Sequence, residues 1–339
     1  MGALMAPARP LGAARVPPIG LGCMNLSHAY GVPPSPEEGA RLLQRAAALG
    51  VIHFDTAAIY GFGVNEELVG RTLAHLRPGL FIASKGGMQG VPFEKGLRRV
   101  IDGRPESLRQ SCEDSLRRLR TEVIDLYYLH RWDKAVPIED SIGAMAELKR
   151  QGKIRAIGLS EVSAATLRRA HAVHPISAVQ SEYSLCTRNP EIAVMETCRE
   201  LGAAFVAFGP LGRGLLTEQP PEVQALEAKD LRRSMPRFGK DNHAANLALL
   251  TGYAALAEEA GCSRAQLALA WVLSRGDHVH AIPGTTRIVH LEENLAAGRV
   301  GLPPAVARRL DELINQRTVA GERYSAATQA EIDTEQFTA

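Results

Sequence analysis

Four polar residues could do chemistry together: Asp55, Tyr60, Lys85 and His130. Three of them stand where an apolar run ends. Val51-Ile52-His53-Phe54 stops at Asp55, Leu80-Phe81-Ile82-Ala83-Ser84 at Lys85, and Val123-Ile124-Asp125-Leu126-Tyr127-Tyr128-Leu129 at His130. If these runs are parallel strands of one barrel, their C-terminal ends share a rim, where such folds keep their active sites. A carboxylate, a phenol, an ammonium and an imidazole on one rim suit proton transfer to a carbonyl. A carbonyl that gains an electron pair becomes an alkoxide and needs a positioned acid. Tyr60 can be that acid, but a free phenol near pKa ~10 donates reluctantly. An adjacent Lys85 ammonium is expected to lower that pKa, with Asp55 holding Lys85 and His130 orienting the carbonyl oxygen. Each residue also has a plainer reading: a loop cap for Asp55, a loop aromatic for Tyr60, a solvated strand-end charge for Lys85, a core histidine for His130. Their order and their shared position at strand ends favour the chemical one.

The elements that must position them alternate along the chain. Short β-branched or aromatic runs read as strands at Pro18–Cys23, Val51–Thr56, Leu80–Lys85, Val123–His130, Ile154–Ser160, Ala178–Tyr183, Ala204–Phe208 and Val279–Pro283. Between them, apolar residues three and four apart predict helices over Ser35–Leu49, Asn65–Leu76, Pro105–Leu119, Ile138–Gln151, Ser163–His171 and Pro190–Leu201. Ser35-Pro36-Glu37-Glu38 carries a helix-start signature, and Gly50, Gly152 and Gly202 stand where helices stop. Eight strands alternating with helices mean a parallel sheet, either a closed barrel or an open doubly wound one. Chemistry at the ends of consecutive strands favours the barrel. The nearest match to a dinucleotide-binding glycine turn, Gly20-Leu21-Gly22-Cys23-Met24-Asn25, lacks its third glycine and a following helix.

Composition narrows the class further. The 339 residues suit one α/β barrel, and 45% hydrophobic with 22% charged residues is ordinary for a globular chain. A net charge of +2 gives no case for nucleic acid or a membrane surface. Arg98-Arg99 and Arg117-Arg118 read as solvated helix faces. Five cysteines without C-x-x-C pairing indicate neither a disulfide framework nor a zinc site, and no other metal is expected. No signal peptide or membrane span is apparent, so the cytoplasm is the expected location. Leu211 to Asn246, with Pro220, Pro221, Pro236 and a mixed-charge helix, interrupts the regular spacing and reads as a lid on the C-terminal rim. The tail 316–339 is polar and weakly periodic.

Taken together, these motifs resemble the aldo-keto reductase family, and its microbial long-loop branch in particular. Phe54-Asp55-Thr56-Ala57-Ala58-Ile59-Tyr60-Gly61 with Asn65-Glu66 is similar to the family signature. Ala83-Ser84-Lys85, Asp125 to His130, Ile157 to Ser160, Gln180 to Ser184, Pro210 to Gly214 and Ile282 to Thr286 with Glu292 to Leu295 follow in the family's order. The resemblance runs over about residues 15 to 312. It implies a single (β/α)8 TIM barrel, with an N-terminal β cap and a long loop after strand 7. It also implies hydride transfer between a nicotinamide, NADPH or NADP+, and a small carbonyl or alcohol, in a monomer or small homo-oligomer.

By that resemblance Ser160, Glu161 and Gln180 meet the nicotinamide carboxamide, Glu161 standing where many members have Asn. Phe208 stacks on the ring, and Gly209, Pro210, Leu211, Gly212 and Gly214 meet the pyrophosphate, the last three through backbone amides. Pro283, Gly284, Thr285, Thr286 and Arg287 form the 2′-phosphate loop, with His290 where Arg is common. Glu293 and Asn294 meet the adenine, and Gly22, Cys23, Met24 and Asp55 complete the groove. Asn25, Tyr30, Trp132 and Phe238 are expected around the substrate. Two other functions stay open on this scaffold: a regulatory subunit using bound NADPH as a redox reporter, and a lyase using Lys85 as a Schiff-base amine.

Overall fold

The structure, a computed structural model, describes residues 6–94 and 96–337. Two short strands, β1 (Arg9–Leu11) and β2 (Ala14–Val16), open the chain as an antiparallel hairpin. Eight parallel strands follow: β3 (Leu21–Gly22), β4 (His53–Asp55), β5 (Phe81–Gly86), then β8 (Leu126–Leu129), β9 (Ile157–Ser160), β10 (Ala178–Glu182), β11 (Ala204–Phe208) and β12 (Val279–Ala281). A second antiparallel hairpin, β6 (Met88–Phe93) with β7 (Gly96–Ile101), is inserted after β5. The sheet closes where the last strand returns to the first. Gly20 N–H donates to Ala281 O at 2.9 Å, and Ala281 N–H donates to Pro18 O at 2.8 Å. The result is the (β/α)8 barrel.

Helices α1 (Pro36–Ala48), α2 (Val64–Leu73), α3 (Pro105–Leu119), α4 (Ile138–Arg150), α5 (Ala164–Val173) and α6 (Val194–Leu201) each follow a strand. The long segment after β11 ends in α7 (Lys240–Ala248), α8 (Leu250–Glu259) and α9 (Arg264–Leu273), and α10 (Ile288–Ala296), α11 (Pro304–Leu313) and α12 (Ala326–Ala330) follow β12. Local signals place these ends as expected. Ser35 and Glu38 form a reciprocal capping box at α1, with Pro36 in the first turn, a feature worth about 1 kcal/mol. Gly152 and Gly202 take φ of +77° and +69° just beyond α4 and α6, where a side chain would be strained.

Period-two alternation sends strand residues to two different cores. Phe81, Ala83, Leu126, Tyr128, Ala178, Ala204 and Val206 fill the barrel, whose lower end is stoppered by Leu11 and Val16 of the hairpin. The opposite faces pack under the helices in a larger cluster that includes Phe54, Ile82, Tyr127, Leu129, Phe205 and Trp271. Arg9 ties the stopper down by donating to the carbonyls of Leu273, Gly276 and Val279 at 2.8–3.1 Å.

Two expectations change. Arg98 and Arg99 sit on β7, not on a helix. Their hairpin escapes a pattern search because β6 contains Gly90 and Pro92, both poor strand residues. An added Cβ on Gly90 would lie 2.4 Å from the Phe62 ring and would have to displace it. The segment after β11 begins with 3-10 turns at Gly212–Gly214, Val223–Ala225, Leu231–Ser234 and Pro236–Phe238, and regular helix starts only at Lys240. Pro220, Pro221 and Pro236 account for that, because each removes an N–H donor. The tail, polar and weakly periodic in sequence, is tied to the barrel by hydrogen bonds. Asp333 N–H donates to Glu161 O at 2.9 Å, Ala164 N–H to Glu335 Oε1 at 2.7 Å, and Lys134 Nζ to the carbonyls of Ala330 and Ile332 at 2.9 and 3.0 Å. Among the described residues no helix is long and apolar enough to cross a membrane.

The tightest helix contact yields a stability prediction. A Cβ on Gly70 of α2 would lie 2.3 Å from Arg118 O and 2.7 Å from Leu119 backbone atoms on α3. Backbone cannot rotate away as a side chain can. Gly70→Ala should therefore lower unfolding free energy by ~1–3 kcal/mol despite the better helix propensity of alanine. Urea unfolding reads this directly, and a stabilised variant would refute the contact.

Candidate active site

Asp55 ends β4, Lys85 lies next to last in β5, and His130 directly follows β8, so the barrel brings their side chains to one rim. Tyr60 arrives from the loop after β4, in a turn where Gly61 and Phe62 take φ of +57° and +53°. The loop's base is fixed by Asn65 and Glu66 of α2. Thr56 Oγ1 donates to Asn65 Oδ1 at 2.7 Å, and Asn65 Nδ2 donates to Cys23 O and Ser27 Oγ at 2.8 and 2.9 Å. Glu66, fully buried, accepts from Ser84 and Arg118 at 2.5 and 2.7 Å. The Asn-Glu pair of the sequence motif thus clamps the loop that carries Tyr60 and the strand that carries Lys85.

At the centre, the Lys85 ammonium is 1% exposed and uses all three N–H donors. They go to Asp55 Oδ1, to Thr56 O at 2.8 Å and to Tyr60 Oη at 3.3 Å. Burial alone would push Lys85 down, but the Asp55 carboxylate and the Tyr60 phenol outweigh it, so the group stays charged. Asp55 Oδ2 accepts from Gln180 Nε2 at 2.8 Å. The Tyr60 and His130 rings stand edge to face at 5.8 Å, and His28 lies 5.4 Å away on another side of Tyr60. His130 is held well below its ordinary pKa, first by burial and then by Arg131 and Lys85, so its imidazole is neutral. For Tyr60 the net direction is upward, not downward as expected. Burial raises the phenol more than the Lys85 ammonium lowers it.

A cleft of about 1310 Å³ opens above these groups. Tyr60, Asp55 and His130 line it, as do Asn25, Tyr30 and all the expected cofactor residues except Glu161 and Gly212. Lys85 sits behind them, below the cleft surface. Two glycines let its walls approach: a Cβ on Gly22 would lie 2.7 Å from Ile282 O, and one on Gly284 would lie 2.7 Å from Asn25 Oδ1. Arg287, Thr286, Phe208, Ser160, Gln180 and Tyr60 all line this one cleft, whose size suits an extended dinucleotide.

Several placements differ from the sequence reading. Of the backbone amides expected at a pyrophosphate, those of Gly212 and Gly214 donate within their own turn, to Gly209 O and Leu211 O at 3.0 and 3.1 Å. The Thr285 hydroxyl accepts from Arg287 N–H at 3.1 Å and so shapes the loop, leaving the exposed Arg287 guanidinium as its free cation. Trp132 does not line the cleft. Its Nε1 donates to Val136 O at 3.0 Å and Arg169 covers its ring at 5.6 Å, so it packs against the helical layer. Phe238 is buried with Met235, Tyr324 and Ile332, anchoring the long segment to the tail.

Glu161 is also drawn away. It takes φ of +58°, a left-handed conformation that asparagine tolerates better than most residues. Its carboxylate accepts Glu182 N–H at 2.7 Å and pairs with Arg323 of the tail. Beside it, Arg213 donates to Glu182 Oε2 and Tyr30 Oη at 2.6 Å and to Tyr324 Oη at 3.0 Å. Arg213, Arg323 and Tyr324 were not singled out in the sequence. Arg213 lay inside a recognised motif with no signal of its role, and the tail residues lie outside any periodic element.

The sequence model of the Aldo/keto reductase family matches residues 18–315. The chain is 42% identical over 323 residues to the Schizosaccharomyces pombe protein named aldo-keto reductase yakc, NADP(+), covering 94% of each. It is 43% identical over 314 residues to a Glycine max protein named probable aldo-keto reductase 1, covering 90% of this chain and 88% of that one. The solved glycerol dehydrogenase AKR11B4 from Gluconobacter oxydans superposes with a TM-score of 0.84 at 31% identity, over 94% of this chain and 98% of its own. An aldo-keto reductase from Klebsiella pneumoniae, solved in complex with NADPH, gives a TM-score of 0.70 at 26% identity, over 94% and 99%.

The rim pairs set a pH dependence. Burial would raise the Glu182 carboxyl, but Arg213 and Arg323 outweigh it and hold it at about 2. A carboxyl depressed on folding stabilises above its unfolded pKa, ~4.3, and that contribution fades as pH falls towards 2. Stability should therefore drop steeply over that window, by about 3 kcal/mol from this group. Glu182→Gln should show a shallower slope there, whatever its stability at neutral pH. Equal slopes in denaturant titrations of the two proteins would remove Glu182 from the acid transition.

Proposed function

The chain belongs to the aldo/keto reductase family, and on that premise we propose that it is an NADP(H)-dependent oxidoreductase reducing an aldehyde or ketone to its alcohol, reversibly. The observation that carries the reading is Lys85 Nζ, enclosed between Asp55 and Tyr60 Oη. NADPH, when bound, supplies the hydride. Tyr60 Oη–H donates to the substrate oxygen as negative charge develops there, and the proton passes to that oxygen to complete the alcohol. The phenolate left behind is stabilised by the Lys85 ammonium, itself held in place by Asp55 and Thr56 O. This arrangement also reconciles the raised resting pKa of Tyr60 with its role: the phenol is kept protonated until a stronger base forms beside it. Neutral His130 can donate to the same oxygen without surrendering a proton. Ser160 and Gln180 orient the carboxamide, Phe208 offers its ring face, and Arg287 meets the 2′-phosphate beside the N-terminus of α10. Gln180 also holds Asp55, so cofactor placement and the acid's support share one amide.

Replacing Tyr60 by Phe should lower kcat by ~10²–10⁴-fold while leaving NADPH affinity near native, because only the general acid is removed. Lys85→Met should lose activity on a similar scale. Stopped-flow turnover and cofactor fluorescence titration separate the two quantities, and near-normal turnover without the Tyr60 hydroxyl would end this mechanism. A protein that binds NADPH but turns over no aldehyde, ketone or alcohol across a broad panel would instead be a binding subunit.

Cofactor choice depends on Arg287. A phosphate met by a guanidinium is a charge-assisted contact of ~1.5–3 kcal/mol, or roughly 10- to 150-fold in affinity. Arg287→Ala should weaken NADPH on that scale and NADH hardly at all. Parallel titrations with both cofactors check this, and equal weakening would show that Arg287 supports the fold or the adenine instead.

A further inference from the structure

Most guanidiniums around the rim have an acid of their own. Arg213 pairs with Glu182, Arg323 with Glu161, Arg232 with Asp230 and Arg99 with Glu331. Arg131 is different. It follows His130 at the end of β8, is half-buried and lines the cleft. Its Nη1 donates to His130 O at 2.7 Å and Ser160 Oγ at 3.2 Å, and among the described residues no carboxylate pairs with it. The acids that line the cleft are spoken for or stand elsewhere. Asp55 is spent on Lys85, Glu218 accepts from Arg264 N–H on the far side of the long segment, and Glu293 belongs to α10.

A partly buried guanidinium with no acid beside it is well placed to take a ligand of opposite charge. Arg131 is anchored through one nitrogen, with the rest of its planar fork unpaired, a geometry suited to a carboxylate. Its charge also reaches the reacting groups, since it acts on both Tyr60 and His130. Arg99 of β7 brings a second cation to the same end of the cleft, already held by both Glu331 oxygens at 2.6 Å.

We infer that Arg131 recognises a carboxylate on the substrate, so that the carbonyl compound reduced is an oxo acid or an aldehyde acid. This rests on the reductase reading above and adds a substrate class to it. Arg131 is then a specificity-determining residue: it fixes the acid end while Tyr60 and His130 receive the carbonyl oxygen. Discrimination by a desolvated guanidinium should amount to roughly 10- to 100-fold over a neutral analogue.

Matched substrates test this in the full-length protein with NADPH. The pairs are para-carboxybenzaldehyde and its methyl ester, and succinic semialdehyde and its methyl ester, which present the charge at two spacings. The acid should exceed its ester in kcat/KM by about tenfold or more in at least one pair. In Arg131→Met that ratio should fall to about one, and Arg131→Lys should restore part of it, since charge returns without the fork. No preference for either acid in the native protein overturns the inference, provided the esters are reduced. So does an acid-to-ester ratio that survives in Arg131→Met while both rates fall together, which is the mark of a purely structural residue. A phosphate-bearing aldehyde that outcompetes both acids overturns the carboxylate assignment. If none of these aldehydes, nor unsubstituted benzaldehyde, is reduced, the reductase reading falls and takes the inference with it.

Discussion

One buried ammonium organises the upper half of this barrel. Lys85 is almost inaccessible to water, and an uncompensated charge there would cost several kcal/mol. It is tolerable because three acceptors from the β4 region converge on its three N–H groups. Those acceptors must be held in turn. Gln180 of β10 fixes the second Asp55 oxygen, Asn65 fixes Thr56, and Glu66 fixes Ser84 beside Lys85. The same constraint that makes the lysine stable aims its charge at Tyr60. On the function proposed above, structural satisfaction and catalytic preorganisation are one set of contacts.

A second set of charges closes the rim on the opposite side. Glu161 and Glu182 stand at the ends of β9 and β10 and face Arg323 and Arg213. Both guanidiniums come from segments that carry no barrel strand, the tail and the long loop after β11. Buried ion pairs are weak arguments for net stability, but breaking one is expensive. They therefore act as latches that hold irregular chain in one position. Tyr30 and Tyr324 meet on Arg213, which draws the loop after β3 into the same junction. The cleft's outer walls are built this way, from three loops pinned to two strand ends.

The strand and helix order was legible because each element announces itself locally. β11 is bounded where its apolar run is bounded, and α3 begins at Pro105 and stops at Leu119 as its periodicity indicates. Strand lengths were overread where a side chain takes the place of a backbone partner. Asp125 is one case: its N–H donates to Ile82 O at 3.0 Å, but the Ile82 N–H goes to its carboxylate, which also pairs with Arg77. The gathering of Asp55, Lys85 and His130 was legible because barrel topology converts strand ends into neighbours, with Tyr60 delivered by the loop after β4. What could not be read was long-range pairing. Glu161 with Arg323 spans 162 positions, and nothing in either neighbourhood specifies the other. Trp132 and Phe238 were misplaced for a related reason. Both stand next to cleft segments in sequence, but a large aromatic there can turn outward into the helical layer or sideways under a lid. Only packing decides which.

These distinctions separate what the scaffold conserves from what it can vary. The floor of the cleft consists of strand ends, where a shift of one residue would reverse which side chains face the barrel. Asp55, Lys85 and His130 are therefore hard to move without losing the core beneath them. The outer walls come mainly from the loop after β3, the segment after β11 and the tail, which add no strand to the barrel. Their composition can change with little effect on the floor. Arg131 occupies the boundary between the two. It is fixed by its backbone to the end of β8, immediately beside His130, while its half-buried side chain lines the cleft and is anchored through Nη1. A charge placed there is held as firmly as His130 and lines the same cleft as Tyr60.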